Sequence, residues 1–243
     1  MIDNKESCKI IQDETGYTVK LRPTVISDSL IDKLSPEDIT TAMSIVNRQI
    51  ELSNVKTNLY RQCSNTNCQN KDKCIFRAIP NGNTNADILF LNKMPTDYEV
   101  CNMSSHCDKT GVLLSLILNK MNVSRDSVYC TDIIKCNAQL DEQSFNECIR
   151  TYIENEINYV SPKVIICNGL CALKTCIKFN ILRNLSEDVT YGKIYNANTS
   201  SGSPVKVMAM YDLNTVLQKT GNDYEKCKTE LWTQILSAFK VSV

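Results

Sequence analysis

From Ala86 onward, short β-branched runs alternate with stretches of helical apolar spacing. The runs Ile88–Leu91, Val128–Thr131, Val164–Cys167 and Val207–Met210 read as strands. Lys109–Met121, Glu142–Tyr159, Leu170–Lys178 and Tyr224–Phe239 read as helices. Strands separated by helices at this spacing build right-handed crossovers, and hence a parallel sheet covered on both faces. The expected fold is α/β, a three-layer α/β/α arrangement with a short four-stranded parallel sheet. In such sheets ligands bind beyond the carboxyl ends of the strands, which points to the segments after Leu91, Thr131, Cys167 and Met210. Before this region, residues 1–58 read as an N-terminal helical extension to a main domain over 59–243. Its helix has Ser35 as cap, Pro36 in the first turn and Asp38 in an acidic capping-box variant. An apolar stripe through Ile39, Met43, Ile45, Val46 and Ile50 suits packing against a neighbour.

Length and composition narrow this picture. A chain of 243 residues buries a real core, and scarce glycine and proline leave no visible linker. The start MIDNKESCKII lacks a signal-peptide pattern and no apolar run reaches a membrane span, so a cytoplasmic protein is expected, here taken as a monomer. Thirteen cysteines in a reducing compartment argue against a disulfide framework and for a metal or cluster site. Cys130, Cys167, Cys171 and Cys176 lie in apolar runs, where a thiol packs as a small hydrophobe. The 27 basic and 27 acidic side chains cancel, which argues against a protein that coats nucleic acid but leaves room for a locally basic groove. A dinucleotide fold and a P-loop fold are excluded, because no strand is followed by GxGxxG or by the Walker pattern.

The strand ends carry a more specific signal. Asn92-Lys93-Met94-Pro95-Thr96-Asp97-Tyr98-Glu99 leads to Gly111, Leu113 and Leu114, and resembles the GEAPGxxED and GxPFVGxAGxLL motifs of family 4 uracil-DNA glycosylases. Val128-Tyr129-Cys130-Thr131-Asp132-Ile133-Ile134-Lys135-Cys136 is similar to that family's VYITNxVKC. PKVIICNGLCAL from Pro162 to Leu173 resembles PKxIvxLGxxA, and Met210-Tyr211-Asp212-Leu213 stands where the family has YHPS. The resemblance runs from about Cys63 to Leu217, in order and at compatible spacing. It implies the uracil-DNA glycosylase fold, a flipped base in DNA as partner, and a cysteine-held [4Fe-4S] cluster. The ligands it implies are Cys136 and Cys148 with two of Cys63, Cys68 and Cys74, here taken as Cys68 and Cys74. Four thiolates also suit a structural zinc.

Against that family the chain departs at its chemistry. His106, the only histidine, replaces the phenylalanine that stacks on the base, and can stack or protonate a leaving base. Asp132 replaces the uracil-reading asparagine. An ionised carboxylate offers acceptors only, which opposes the 4-oxo group of uracil and suits the exocyclic amino group of a cytosine-type base. Lys93 replaces the motif's glutamate and Tyr211 the histidine of HPS. Asp97 or Asp212 is left to position water, and Lys93 to balance the leaving base or attack the sugar as an amine. With Asn92 and Tyr211 beside the base, these residues predict a glycosylase for a modified cytosine, such as the hydroxymethylated or glucosylated cytosines of phage genomes, acting in defence. The competing expectations are a silent family member that binds nucleic acid, nucleotide or protein through the same cleft, and a phage enzyme that modifies bases without excising them.

Overall fold

The computed structural model describes residues 9–12, 18–21, 63, 68 and 76–242. The chain divides into two compact units, Met1–Val46 and Asn47–Val243. In the first, β1 (Lys9–Gln12) pairs antiparallel with β2 (Thr18–Leu21), a pairing that the helical reading of this extension does not contain. The helix expected over Ser35 to Ile50 lies outside the described residues.

The second unit carries a sheet of seven strands in the order β3-β5-β4-β6-β9-β8-β7. The strands are β3 (Asn81–Gly82), β4 (Ile88–Asn92), β5 (Tyr129–Asp132), β6 (Val164–Asn168), β7 (Leu182–Arg183), β8 (Ile194–Thr199) and β9 (Pro204–Met210). The four expected strands are present as β4, β5, β6 and β9, and each pairs parallel with its neighbours. The expectation of a four-stranded parallel sheet is corrected by three antiparallel additions. β3 pairs with β5 at one side, and β8 and β7 extend the other side. Two of the additions are only two residues long, and β8 reads IYNANT, without the apolar run that marks its neighbours.

Side-chain alternation along the parallel strands feeds two cores. Leu89, Leu91, Tyr129, Ile165, Cys167 and Val207 face one layer with Ile149, Ile153, Ile157 and Leu173. Ile88, Phe90, Cys130, Ile166, Met208 and Met210 face the other with Leu114, Leu118, Leu231 and Ile235. Each fully buried side chain of this size contributes roughly 1.5–3 kcal/mol. The covering helices are α1 (Asp97–Cys101), α2 (Lys109–Lys120), α3 (Glu142–Cys148), α4 (Glu154–Val160), α5 (Leu170–Lys178), α6 (Leu213–Leu217) and α7 (Gly221–Lys240). A π-turn at Ile149–Ile153 joins α3 to α4, where the sequence reads as one helix. Cys171 is exposed on α5, unlike Cys130, Cys167 and Cys176, which are buried as expected. No helix among the described residues is long and apolar enough to cross a membrane.

Candidate active site

Two polar residues end adjacent strands in register. Asn92 closes β4 directly opposite Asp132, which closes β5. The pairing continues into the following turn, since Ile133 N donates to Asn92 O at 2.9 Å and Ile134 N to Lys93 O at 3.1 Å. Asn92 Oδ1 accepts from Asn168 Nδ2 at 2.7 Å, and Asn168 Oδ1 accepts from Leu213 N at 2.9 Å. The ends of β4 and β6 and the start of α6 are thus locked together by side-chain amides. Asn168 is a site residue that the sequence reading passed over; a polar residue closing an apolar strand at the ligand-binding end was the available signal.

The segment from Lys93 to Asp108 covers these strand ends, and Glu99 organises it. Thr96 caps α1, and Glu99 Oε2 returns to Thr96 N at 2.8 Å, a capping box. The other carboxylate oxygen, Oε1, accepts from His106 N. One buried carboxylate therefore holds both ends of the loop, and its burial raises its pKa. Asp108 caps α2 through Thr110 N at 2.9 Å and Gly111 N at 3.3 Å. A Cβ on Gly111 would lie 1.7 Å from the His106 carbonyl oxygen, so only glycine lets α2 approach this loop so closely.

His106 occupies the left-handed region at φ 53° and is buried, with neither ring nitrogen hydrogen-bonded. Burial, with the Arg125 guanidinium adding to it, holds its pKa down at about 3. Burial thus favours the neutral ring, which suits an aromatic face more than a proton donor. Asp132 is fully buried. Its Oδ2 accepts from Ser105 Oγ at 2.5 Å, and its Oδ1 has no hydrogen-bond partner. Burial, reinforced by the Glu99 carboxylate, pushes its pKa up to about 7. The sequence reading took this group as ionised, and its burial works against that form.

Three residues along the same turn the situation differs. Lys135 is buried and its ammonium reaches Glu156 Oε1 at 2.7 Å, Thr131 Oγ1 at 2.5 Å and the Asp132 carbonyl at 2.7 Å. Thr131 Oγ1 in turn donates to Glu156 Oε2 at 2.5 Å. Beyond Lys135 lies a small cavity lined by Cys63, Cys68, Cys136 and Cys148, with Arg77 and Tyr152 beside them. The Tyr152 hydroxyl lies 3.5 Å from Cys63 Sγ. Four sulfur donors on one buried cavity fit a thiolate-ligated group in chemistry. Among the described residues no set of three donor side chains already stands at metal-holding distances. Cys63 lines the cavity beside Cys68, while Cys74 lies outside the described residues.

The remaining expected residues separate. Asp97 is exposed, accepts from Asn137 Nδ2, and lines an open groove of ≈ 630 Å³ with Thr96, Tyr98, Asp108, Lys109 and Asn214. Lys93 is half-buried at the start of the same loop. Asp212 caps α6, its Oδ1 accepting from Thr215 N at 2.7 Å and Thr215 Oγ1 at 2.8 Å, so that oxygen is committed to structure. The Tyr211 hydroxyl donates to Glu230 Oε2 at 2.5 Å, a bond that pushes its pKa up to about 12, and its ring packs against Tyr191 with centroids 4.8 Å apart. That hydroxyl is turned to α7. A second groove, of ≈ 650 Å³ between Glu142, Arg150, Lys178 and Arg183, contains none of these residues.

The sequence profile described as "Uracil DNA glycosylase superfamily" matches residues 79–236. The type-4 uracil-DNA glycosylase of Archaeoglobus fulgidus is 27% identical over 142 residues, covering 57% of this chain and 70% of that protein. The type-4 uracil-DNA glycosylase of Saccharolobus solfataricus is 27% identical over 139 residues, covering 54% of this chain and 64% of that protein, just under two thirds of its length. The chain belongs to the uracil-DNA glycosylase superfamily and stands close to its type-4 members.

Proposed function

We propose that this protein is a DNA glycosylase that takes a modified, amino-bearing base of the cytosine type out of the DNA stack and hydrolyses its N-glycosidic bond, leaving an abasic site. Membership of the superfamily supports the glycosylase chemistry. The observation that carries the substrate reading is the Asp132 carboxylate, which ends β5 at the ligand-binding edge of the sheet with one buried oxygen unpaired. A buried acceptor without a partner is expensive to keep, and a ligand donor that completes it explains its retention. In its ionised form that oxygen favours an exocyclic N–H over a carbonyl. Because Asp132 and His106 are both buried, a base meets them only after the covering side chains rearrange. No hydrogen bond to the His106 ring has to be broken when that rearrangement brings its face against the base.

In this reading Asp97, exposed on the groove, positions the water that adds to the sugar carbon as the base departs with its bonding electron pair. Lys93, at the loop entrance, balances the charge on the leaving base. Met94, Tyr98, Val112 and Leu116 are large, exposed and apolar on this loop and on α2, a surface suited to wedging or stacking against unstacked DNA. Cys63, Cys68, Cys136 and Cys148 would hold a [4Fe-4S] cluster, with structural zinc as the alternative. Such a group would clamp the segment around Cys63 and Cys68 to the turn after β5 and to α3. A cytoplasmic monomer acting against phage DNA that carries hypermodified cytosine is the setting that agrees with this substrate reading.

The test is abasic-site formation on matched oligonucleotides that carry hydroxymethylated cytosine, glucosylated cytosine, plain cytosine or uracil. Product from a modified cytosine, falling about 100-fold or more in Asp97→Asn, is expected. Absence of product on all four with binding intact would replace this reading by that of a silent nucleic-acid binder. Anaerobically purified protein should be brown, and Cys136→Ser should bleach it. Colourless protein with one tightly bound zinc would assign the cavity to structural zinc.

A further inference from the structure

Ser105 is fully buried and fixed from several sides. Its N–H donates to Ile79 O at 2.9 Å, and its carbonyl accepts from Asn81 Nδ2. Asn81 is itself held by Arg125 Nη2 at 2.7 Å and reaches Ser104 Oγ at 3.1 Å. With its backbone anchored, the Ser105 hydroxyl is presented to one oxygen of Asp132, Oδ2, at 2.5 Å. The other oxygen is left without a partner in a fully buried carboxyl. A flexible or solvated carboxylate would show a ligand two equivalent oxygens; this one shows a single atom.

We propose that Ser105 is a specificity-positioning residue: by occupying Asp132 Oδ2 it leaves Oδ1 as the one atom that meets the 4-substituent of a bound pyrimidine, and the presence or absence of a proton on that atom selects an oxo or an amino group. This rests on the reading of Asp132 as the base reader. Unprotonated Oδ1 accepts from an amino N–H and repels a carbonyl, whereas protonated Oδ1 donates to a carbonyl, as the amide N–H of an asparagine would. The groups around Asp132 place the change in the physiological range. Burial raises its pKa to about 7 together with the Glu99 carboxylate of α1, against the Ser105 hydroxyl, the Lys135 ammonium on the following turn and Asn92 on β4. The buried Cys130 thiol, two residues before Asp132 on β5, and the buried His106 ring beside Ser105 are the further titratable groups nearby in the chain. Acid conditions should therefore favour a 4-oxo base and alkaline conditions a 4-amino base.

The experiment uses the full chain and two readouts. Titration of the Asp132 carboxyl by carbon-13 NMR gives its midpoint in the free protein. The ratio of affinities for 2′-fluoro oligonucleotides carrying uracil or 5-hydroxymethylcytosine, which bind without being cleaved, gives the selectivity as a function of pH. In the wild type the amino-to-oxo ratio should rise by about tenfold for each pH unit across the midpoint, because affinity for the amino base falls off below it and affinity for the oxo base falls off above it. Ser105→Ala removes a hydrogen bond to the charged form, so the midpoint should move up by about one pH unit and the selectivity curve should move with it. Ser105→Cys keeps the volume with a weaker donor and should shift both in the same direction, while Asp132→Asn should abolish the pH dependence of the ratio. A flat ratio in the wild type, or a Ser105→Ala protein whose midpoint stays in place, overturns the proposal. A pH-dependent ratio with no abasic product from either natural base would leave the proposal standing and remove the glycosylase reading; product with a flat ratio would do the reverse.

Discussion

Asp132 and Lys135 lie three residues apart on one turn, are both buried and both ionisable, and are treated in opposite ways. Lys135 has three donors and three acceptors within 2.7 Å, one of them the Glu156 carboxylate. Asp132 accepts from Ser105, has the Asn92 amide near enough to favour its charged form, and keeps Oδ1 outside hydrogen-bond geometry. A charge with every donor satisfied is part of the framework: removing its partner is costly, but it asks nothing of a ligand. A buried acceptor that is half satisfied stores a penalty that only a ligand or a proton relieves. On this contrast rests the proposal that Lys135 is scaffold and Asp132 reads a ligand.

The strongest way to break this contrast is at Lys135. Glu156→Ala should destabilise the protein by ~3–5 kcal/mol in urea unfolding, because it strands a buried ammonium. Replacing both partners, as in Lys135→Met with Glu156→Leu, should recover most of that loss. A small effect of Glu156→Ala alone would mean that Lys135 is not the framework charge described here.

Asp132 should behave with the opposite sign. Its folded pKa of about 7 lies above the 3.8 of an ordinary aspartate, so between these values the folded state holds a proton that the unfolded chain releases. Stability from this group therefore falls as pH rises through that window and is flat above it. Asp132→Asn should raise stability at pH 8 by about 1–3 kcal/mol while erasing discrimination for the amino-bearing base. Destabilisation by Asp132→Asn at pH 8 would make the residue structural.

His106 sharpens the comparison from the acid side. Its folded pKa of about 3 lies below the usual 6.5, so stability is lost as pH falls from 6.5 towards 3, at up to about 1.4 kcal/mol per pH unit. His106→Phe should remove that acid loss and keep most base binding, whereas His106→Ala should weaken binding by ~1–3 kcal/mol. The smallest effect is expected at Asp212. Losing its cap should cost ~1 kcal/mol of stability and leave the rate of base excision unchanged; a large rate loss would return Asp212 to the chemistry.

The four parallel strands were legible because each is a short run dominated by apolar, aromatic and β-branched residues and buried along most of its length. β3 and β7 were not, since two residues carry no periodicity, and neither were α1 and α6, each of five residues. At the site, register was legible: Asn92 and Asp132 each follow an apolar run, and the structure sets them opposite one another. What sequence could not show is which polar groups would be paired. Asp97 and Asp212 look alike as letters, yet one lines the groove and the other closes a helix end. Ser105 carried no signal, because a serine in a loop acquires its role only when the chain folds it onto Asp132 from 27 residues away.

The short strands at the two margins of the sheet have a consequence for the behaviour of the chain in a crowded solution. A parallel core depends on pairings between distant segments, forms slowly, and exposes strand edges while it does so. Here the finished sheet ends in Asn81–Gly82 on one side and Leu182–Arg183 on the other, each too brief to template a further strand from another molecule. Docking of β3 and β7 shortens the edge that is open to another molecule, leaving on β8 the Ile194–Ala197 stretch that β7 does not pair, and a variant that lengthens either margin into a flat apolar strand should precipitate without any change at the carboxyl ends of β4 and β5.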